Sequence, residues 1–333
     1  MSQICVLGAG AWGTALAKVL ADKGNPTLIW AVDDGVAATI NEAHENKRYL
    51  PGHQLPPNLK ATTSLEEALA GVELIVVVVP SHAVREVMTK AKPLIPKSAL
   101  LCSASKGIEN DSLMLMSQVI EDVLGHEAVP RLTYLSGPSF AKEVALGMPT
   151  AVVVAGKDAD NTLTVQRAFA SDKLRVYSSH DVIGVEIGGA LKNVIAIAAG
   201  AIDGLGFGHN SRAGMITRGL HEIGMLAMRL GGEPMTVAGL SGMGDLVLTC
   251  TGDLSRNRTV GVELGKGRKL DEILRGLGHV AEGVKTSKSA YDLSIREGVE
   301  MPITHEVYKV LYEGKHPRQA VVDIMTRELR SER

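Results

Sequence analysis

The first half of the chain alternates short apolar runs with segments of helical periodicity. The apolar runs lie at residues 4–7, 27–30, 74–80, 99–105, 132–136 and 150–156. Several are apolar throughout, which is typical of strands that helices cover on both faces of a parallel sheet. Helical patterns occupy the intervals, for example at residues 12–23, 65–70 and 113–124. This alternation predicts βαβ units and an α/β fold with a doubly wound, Rossmann-type sheet.

The pattern changes near residue 180, after which no convincing strand is found. Long helical patterns follow at residues 182–201, 211–230, 270–277, 283–296, 303–312 and 318–330. Pro317 stands at the first turn of the last one, a position that suits its fixed φ. We therefore predict a sheet domain at residues 1–185, followed by an all-α C-terminal domain at residues 186–333.

The composition is that of an ordinary globular protein and excludes several classes of partner. The chain has 333 residues, 22% charged residues and a formal net charge of −2, so it offers no basic face for nucleic acid. Cys5, Cys102 and Cys250 are far apart and lie among apolar residues, so neither a disulfide framework nor a thiolate metal site is expected. No apolar run has the length of a membrane span or a signal peptide, and the expected location is the cytoplasm.

A glycine-rich loop follows the first predicted strand and opens the first predicted helix. In GAGAWG, at residues 8–13, the first glycine permits a tight turn, the second lets a pyrophosphate approach the backbone, and the third permits close helix–sheet packing. An acidic residue about twenty positions later completes the context of a dinucleotide site. The residues expected to contact the cofactor here are Gly8, Gly10, Ala11, Trp12 and Gly13.

The turn after the second apolar run bears on the choice of cofactor. Trp30 ends the run, and Asp33 and Asp34 come after Val32. Acidic side chains here can accept hydrogen bonds from the ribose hydroxyls of NAD, and they repel the extra phosphate of NADP, which prefers an arginine. No Arg or His lies within the turn. The turn favours NAD, and the alternative role for these aspartates is to cap the next helix.

A lysine interrupts an otherwise apolar helical pattern in the second half. Lys192 lies in EIGGALKN, residues 186–193. Burial removes the hydration of its charge, so a lysine in this position suits contact with an anion or a reacting oxygen. The alternative is a side chain that reaches the surface from a core helix. Together with the glycine loop, Lys192 makes an oxidoreductase the leading interpretation.

Polar residues follow two of the predicted strands. Lys106 comes after the run at 99–105, and Gly137 and Ser139 come after the run at 132–136. The carboxyl ends of strands are where doubly wound sheets bind ligands. A lysine there could hold a phosphate or a carbonyl oxygen, and the alternative is an ordinary surface lysine.

A second polar segment lies in the helical half. Arg256 beside Asn257 offers several donors to a phosphate. Asp245 could orient a lysine ammonium or accept a hydrogen bond from a substrate hydroxyl. The alternative is turn formation, which uses the same residue types. The ten histidines show no ligand spacing such as HExxH, so no metal is expected.

Taken together, these segments resemble the soluble NAD(P)-dependent glycerol-3-phosphate dehydrogenases nearly end to end. The glycine loop is common to many families, whereas GGALKN and SRNR are specific to this one. The matching segments are GAGAWGTALA (8–17), HENKRYLPG (44–52), VVVPSH (77–82), SKGIE (105–109), SGPSFAKE (136–143), the stretch 182–208, GDLVLTC (244–250) and SRNR (255–258).

The resemblance implies reversible reduction of dihydroxyacetone phosphate to sn-glycerol 3-phosphate by NAD(P)H, which feeds glycerophospholipid synthesis. Lys192 would be the general acid/base, assisted by Lys106, and a homodimer is expected. The residues implied to bind substrate are Lys106, Gly137, Ser139, Lys192, Asn193, Asp245, Thr249, Ser255, Arg256 and Asn257. Besides the glycine loop and Asp33, the residues implied to contact the cofactor are Lys106, Ala141, Arg256, Val280 and Glu282.

The resemblance leaves the choice between NAD and NADP open. Bacterial members often carry His or Arg at the position of Val32, where it can meet the phosphate of NADP. The stretch HENKRYLPGHQLPPN is similar to NAD-using eukaryotic members, whereas SGPSFAKE is similar to bacterial ones. With Asp33 and Asp34 in the turn, the expectation is NAD.

Two other functions remain as alternatives. A β-hydroxyacid or 6-phosphogluconate dehydrogenase also joins such a sheet to helices around a lysine, although Lys106, Arg256 and Asn257 favour a small phosphorylated ketone. A non-catalytic nucleotide sensor would keep the glycine loop, but it should lack the lysine or the phosphate-binding residues and carry a basic face for DNA.

Overall fold

The computed structural model describes residues 3–277, 281–329 and 331–332. The chain divides into two compact units: Met1–Glu109 with Met114–Glu186, and Asn110–Leu113 with Ile187–Arg333. The first unit contains the sheet and the second is helical. The functional domain boundary at 185/186 stays a prediction.

The described part of the first unit contains eight strands and seven α-helices, and an eighth α-helix begins at its end. The strands are β1 (Ile4–Leu7), β2 (Thr27–Trp30), β3 (Leu59–Thr62), β4 (Leu74–Val77), β5 (Leu100–Ser103), β6 (Leu132–Ser136), β7 (Thr150–Gly156) and β8 (Leu174–Ser179). The helices are α1 (Ala11–Asp22), α2 (Asp34–Ala43), α3 (Leu65–Leu69), α4 (Val84–Ala91), α5 (Met116–Leu124), α6 (Ala141–Ala145) and α7 (Ala159–Phe169).

The strands form one sheet in the order β3-β2-β1-β4-β5-β6-β7-β8, which confirms the doubly wound fold. Its central strands are buried on both faces. Along β1, Ile4 and Val6 belong to one hydrophobic cluster, whereas Cys5 and Leu7 belong to another. A strand covered in this way needs apolar residues at every position. The sheet departs from the predicted all-parallel arrangement at one point, since β7 pairs with β6 in antiparallel fashion.

Two strands have no counterpart among the predicted apolar runs. β3 and β8 are the two edge strands of the sheet. Lys60 is exposed in β3, and Arg175 and Tyr177 are exposed in β8. Edge strands are partly open to solvent, so their sequences lack the continuous apolar run that marks the central strands.

In the part that the structure describes, the second unit contains helices joined by loops and no strand. Its helices are α8 (Val182–Gly204), which begins in the first unit, α9 (His209–Arg229), α10 (Pro234–Val237), α11 (Asp245–Thr251), α12 (Arg256–Gly265), α13 (Leu270–Leu277), α14 (Glu282–Glu297), α15 (Pro302–Tyr312) and α16 (Pro317–Met325). A π-helical turn, Leu240–Gly244, precedes α11. Pro317 opens α16 as predicted. The segments from α10 to α12 are missing from the predicted helices, because they are short or begin with residues that also form turns.

Glycines let α8 and α12 pack with their backbones close together. A Cβ atom on Gly200 would lie 2.1 Å from the carbonyl oxygen of Arg258, and one on Gly204 would lie 2.1 Å from that of Val262. Real Cβ atoms do not approach that closely, so any larger residue would push the helices apart. This contact fixes the beginning of α12 against α8.

Helix α8 corrects one expectation from the sequence. Its 23 residues are long and apolar enough to cross a membrane by length and composition, whereas no run of that length was expected. However, 89% of its most apolar window is buried inside the protein, as in the core helix of a globular domain.

Candidate functional site

The glycine loop forms a cradle at the N-terminus of α1. Gly8 has φ of +119°, and a Cβ there would lie 2.7 Å from the carbonyl oxygen of Val78. A Cβ on Gly13 would lie 1.9 Å from the carbonyl oxygen of Gly8. Nothing lies within 4 Å of a Cβ placed on Gly10, the N-cap of α1, which has no side-chain cap. Gly8 and Gly13 are therefore needed for close packing. Gly10 leaves open space beside the backbone N–H groups at the start of α1, which no side chain caps. This arrangement fits a pyrophosphate.

The residues around the cradle join it to two other segments of the first unit. Ala11, Trp12 and Ala141 pack together against a small cluster that contains Leu50 and Val144. The Trp12 indole Nε1 is buried and has no hydrogen-bond partner among the described residues. Ala11, Trp12 and Ala141, all predicted to contact the cofactor, are thus neighbours.

Asp33 has two partners. Its Oδ1 accepts a hydrogen bond from the backbone N–H of Val36 at 3.1 Å and caps α2, and the contact of Asp33 with a ribose stays a prediction. Its Oδ2 forms an ion pair with Arg48. No Arg lies in the turn itself, but the fold brings one there from 15 residues along the chain. The argument that the turn repels a phosphate is therefore incomplete, and Arg48 is a residue of this region that sequence reasoning missed.

The predicted residues after β5 and β6 converge on one backbone oxygen. Lys106 Nζ lies 3.5 Å from the carbonyl oxygen of Gly137, and Ser139 Oγ donates to the same oxygen at 2.9 Å. Gly137 has φ of +135°, and a Cβ there would lie 2.9 Å from the Cα of Val152. The strands are neighbours and parallel, so their carboxyl ends meet, as predicted for a ligand-binding edge.

In the second unit Lys192 is buried and forms an ion pair with Asp245. The lysine side chain is 11% exposed and the aspartate side chain 1%, so the ammonium does not reach the surface as the alternative proposed. Thr249 Oγ1 donates to the Asp245 carbonyl oxygen at 2.6 Å. An adjacent carboxylate stabilises the ammonium form of the lysine. The side-chain nitrogen of Lys192 thus lies against a carboxylate in a largely buried site.

A glycine and an irregular turn position this pair. A Cβ on Gly188 would lie 2.5 Å from the carbonyl oxygen of Ser241. Gly188 precedes Lys192 by four residues, so both lie on the same face of α8. Ser241 belongs to the π-helical turn that leads into Asp245. Such turns are frequent at functional sites, and this one aims the first residue of α11 at the lysine.

Asn193 and Asn257 meet at the start of α14. The Asn257 Oδ1 accepts a hydrogen bond from the backbone N–H of Gly283 at 3.0 Å. A Cβ on Gly283 would lie 2.7 Å from this oxygen and 2.7 Å from the carbonyl oxygen of Asn193. Glu282, the first residue of α14, is the neighbour of Gly283 in sequence. Four predicted residues from α8, α11 and α12 are thereby linked: Lys192 and Asp245 directly, and Asn193 and Asn257 through Gly283 of α14.

The two arginines of SRNR have different surroundings. Arg256 is exposed and has no hydrogen bond or ion pair among the described residues. Arg258 forms ion pairs with Asp203 at 2.8 Å and Asp253 at 3.0 Å. Ser255 caps α12, with its Oγ accepting from the Arg258 N–H at 3.2 Å. The segment is the start of α12 and not a plain turn. Arg258 is already engaged in ion pairs, whereas the guanidinium of Arg256 is exposed.

The remaining predictions concern Val280, the cysteines and metals. Val280 lies outside the described residues. Cys5, Cys102 and Cys250 are buried and unpaired, as expected, and burial raises the pKa of the Cys102 thiol to about 12. Within the described ranges, no group of three His, Cys, Asp or Glu side chains could hold a metal ion.

Comparison with known proteins gives matches over nearly the whole chain. The model of the N-terminal part of NAD-dependent glycerol-3-phosphate dehydrogenase matches residues 3–162, and that of its C-terminal part matches residues 181–322. A glycerol-3-phosphate dehydrogenase (NAD(P)+) of Myxococcus xanthus is 54% identical over 327 residues, 98% of each chain. One from Geobacter sulfurreducens is 54% identical over 331 residues, 99% of each chain.

Solved structures agree with these sequence matches. The glycerol-3-phosphate dehydrogenase of Coxiella burnetii is 40% identical and superposes with a TM-score of 0.94, covering 98% of this chain and 99% of its own. The yeast glycerol-3-phosphate dehydrogenase GPD1 is 29% identical with a TM-score of 0.83, again covering 98% and 99%. The similarity therefore extends over both units.

Proposed function

This chain belongs to the NAD-dependent glycerol-3-phosphate dehydrogenase family, and on that premise we propose that it reduces dihydroxyacetone phosphate to sn-glycerol 3-phosphate reversibly. It is an oxidoreductase. The observation that carries the proposal is the buried Lys192–Asp245 pair on the same unit as the exposed Arg256, which has no ion pair with any residue that the structure describes. One supplies a proton donor, and the other supplies a cation for a phosphate.

A bound nicotinamide dinucleotide supplies the hydride. As the ketone carbon accepts it, negative charge grows on the carbonyl oxygen. Lys192 stabilises this charge as an ammonium and transfers a proton to the oxygen, which yields the alcohol. Asp245 holds the ammonium in place before transfer, and solvent returns a proton to the neutral lysine afterwards. In the oxidation direction Lys192 acts as the base.

We assign the phosphate of the substrate to the start of α12. Arg256 offers a guanidinium with no other partner among the described residues, and such a group can bind a phosphate through two parallel hydrogen bonds. Asn257 lies beside it, and its oxygen is already held by Gly283, so its amide group is oriented. Thr249 and Asn193 complete the proposed substrate contacts of this unit. The ligand-binding role of Lys106, Gly137 and Ser139 in the first unit stays a separate prediction.

We propose NAD as a cofactor that binds at the glycine cradle. The uncapped N-terminus of α1 suits the pyrophosphate, and the Asp33 carboxylate is an acceptor for a ribose hydroxyl. We also propose that the enzyme is a cytoplasmic homodimer whose product feeds glycerophospholipid synthesis.

The test is oxidation of NADH and NADPH on addition of dihydroxyacetone phosphate, followed by absorbance. Unphosphorylated dihydroxyacetone is the matched control, because it has the same ketone without the group that Arg256 would bind. We expect rapid oxidation with the phosphate and at least a hundredfold lower kcat/KM without it. Equal rates with the two ketones would contradict the phosphate assignment. No oxidation with either would contradict the function and direct the search to β-hydroxyacids.

A further inference from the structure

The ion pair between Arg48 and Asp33 lies just beyond the C-terminal end of β2, where the adenosine ribose of a dinucleotide binds in this type of fold. Both side chains are substantially open to solvent, Arg48 at 56% and Asp33 at 43%. The two carboxylate oxygens of Asp33 are used differently. Oδ1 caps α2 through Val36, whereas Oδ2 is bound by the guanidinium. If Arg48 left Asp33 for another partner, Asp33 would therefore still cap α2 through Oδ1.

The loop that carries Arg48 is anchored to the glycine cradle. Asn46 is fully buried, and its Nδ2 donates to the carbonyl oxygen of Ala9 at 2.9 Å and to Thr14 Oγ1 at 2.8 Å. Its Oδ1 accepts from the backbone N–H of Tyr49 at 3.1 Å. One side chain thus ties the backbone beside Arg48 to the loop that would hold the pyrophosphate, so the position of Arg48 relative to that loop is built into the fold.

The Arg48 side chain is further oriented by an aromatic ring. Its guanidinium carbon lies 5.3 Å from the centre of the Tyr49 ring, a distance at which a cation over a ring face is stabilised. The Nη1 group of the same guanidinium binds Asp33 Oδ2. An exposed ion pair is weakly held, whereas a phosphate dianion offers more charge and a bidentate partner.

We propose that Arg48 is the residue that lets this enzyme accept the 2′-phosphate of NADP, by moving from Asp33 to the phosphate. With NAD, Arg48 stays with Asp33, and the carboxylate accepts the ribose hydroxyl. The inference rests on the proposed dinucleotide site. It gives the site two states and attributes the choice of cofactor to one exposed arginine, which offsets the negative charge that would otherwise exclude NADP.

The test is calorimetric binding of adenosine 2′,5′-bisphosphate and of AMP, which differ only in the 2′-phosphate and require no catalysis. We expect Arg48→Ala to weaken binding of the bisphosphate at least tenfold and that of AMP less than threefold. Arg48→Lys should lose an intermediate amount, since it keeps the charge without the paired donors. Lys47→Ala is the matched control, because it removes a charge from an exposed neighbour, and it should change both affinities less than threefold.

Steady-state kinetics with dihydroxyacetone phosphate form the second arm. Arg48→Ala should lower kcat/KM for NADPH at least tenfold and leave that for NADH within threefold. Equal losses for both cofactors, no loss in either assay, or failure of the wild-type protein to bind either adenine nucleotide would overturn the inference. If the binding assay gives the expected selectivity but neither cofactor is oxidised, the proposed substrate is wrong and the role of Arg48 stands.

Discussion

Lys192 and Asp245 form a buried ion pair that joins helix α8 to the first residue of helix α11. The two residues are 53 positions apart in sequence, and neither side chain is more than 11% exposed. Removal of one partner from such a pair leaves an uncompensated charge and is strongly destabilising. Experiments on the proposed catalytic role of Lys192 must therefore separate a loss of activity from a loss of stability.

Lys192→Met should lower turnover strongly, and a second substitution, at Asp245, should show that the loss does not come from unfolding. We expect kcat to fall by about 10²–10⁴, the usual contribution of general acid–base catalysis. The double variant Lys192→Met/Asp245→Asn removes the unpaired charge as well, so its free energy of unfolding should exceed that of the single variant, while kcat stays low. Lys288→Ala, which breaks an exposed ion pair in α14, is the control. Near-normal kcat in the double variant would rule out the assigned role.

Arg256→Ala should act mainly on substrate binding. The side chain has no partner among the described residues to lose, so we expect the midpoint of thermal unfolding to remain unchanged and KM for dihydroxyacetone phosphate to rise at least tenfold. Arg258→Ala is the informative comparison, because that arginine bridges Asp203 and Asp253 and its loss should lower stability. If Arg256→Ala left KM unchanged, the phosphate would have to bind elsewhere.

The contrast between Lys192 and Arg48 explains what the sequence could predict. Lys192 is visible because a lysine in an apolar helical run is costly to bury. The sequence also suggested that Asp245 could orient a lysine ammonium, but only the packing of α11 against α8 identifies Lys192 as that lysine. Arg48 belongs to a polar loop, where arginine is unremarkable, and its significance comes from the anchor of Asn46 on Ala9. Likewise, the central strands are predictable from their apolar runs. The edge strands β3 and β8 have no such run, and they are recognised as strands only from their pairing with β2 and β7.

Gly200→Ala should destabilise the helical unit. The added Cβ would lie 2.1 Å from the carbonyl oxygen of Arg258, and overpacking of this kind typically costs about 1–3 kcal/mol. Gly214→Ala is the matched control on α9, since nothing lies within 4 Å of a Cβ there. Alanine favours helix by about 1 kcal/mol over glycine, so the control should be neutral or more stable. Urea unfolding gives the free energy of unfolding of both variants. Equal changes would contradict the claim that the close contact between α8 and α12 requires glycine at position 200.

Glu222 makes the stability of the helical unit dependent on pH. Its carboxylate accepts hydrogen bonds from the backbone N–H groups of Ile303 at 2.6 Å and Thr304 at 3.1 Å, at the start of α15. These bonds lower its pKa, but burial raises it more, from 4.5 to about 7. The native state therefore holds the proton more tightly than the unfolded chain. This contribution to stability is fully present below pH 4.5 and is lost as the pH rises through about 7.

Glu222→Gln removes the titrating group and should remove that part of the pH dependence. In wild type, the free energy of unfolding should lose up to about 3 kcal/mol from this residue as the pH rises from about 5 to about 8. Glu272→Gln, the same substitution at an exposed position of α13, should leave the slope unchanged. The measurement is urea unfolding of the three proteins at both pH values. A Glu222→Gln variant with the wild-type slope would show that Glu222 has the same proton affinity in the folded and unfolded chain.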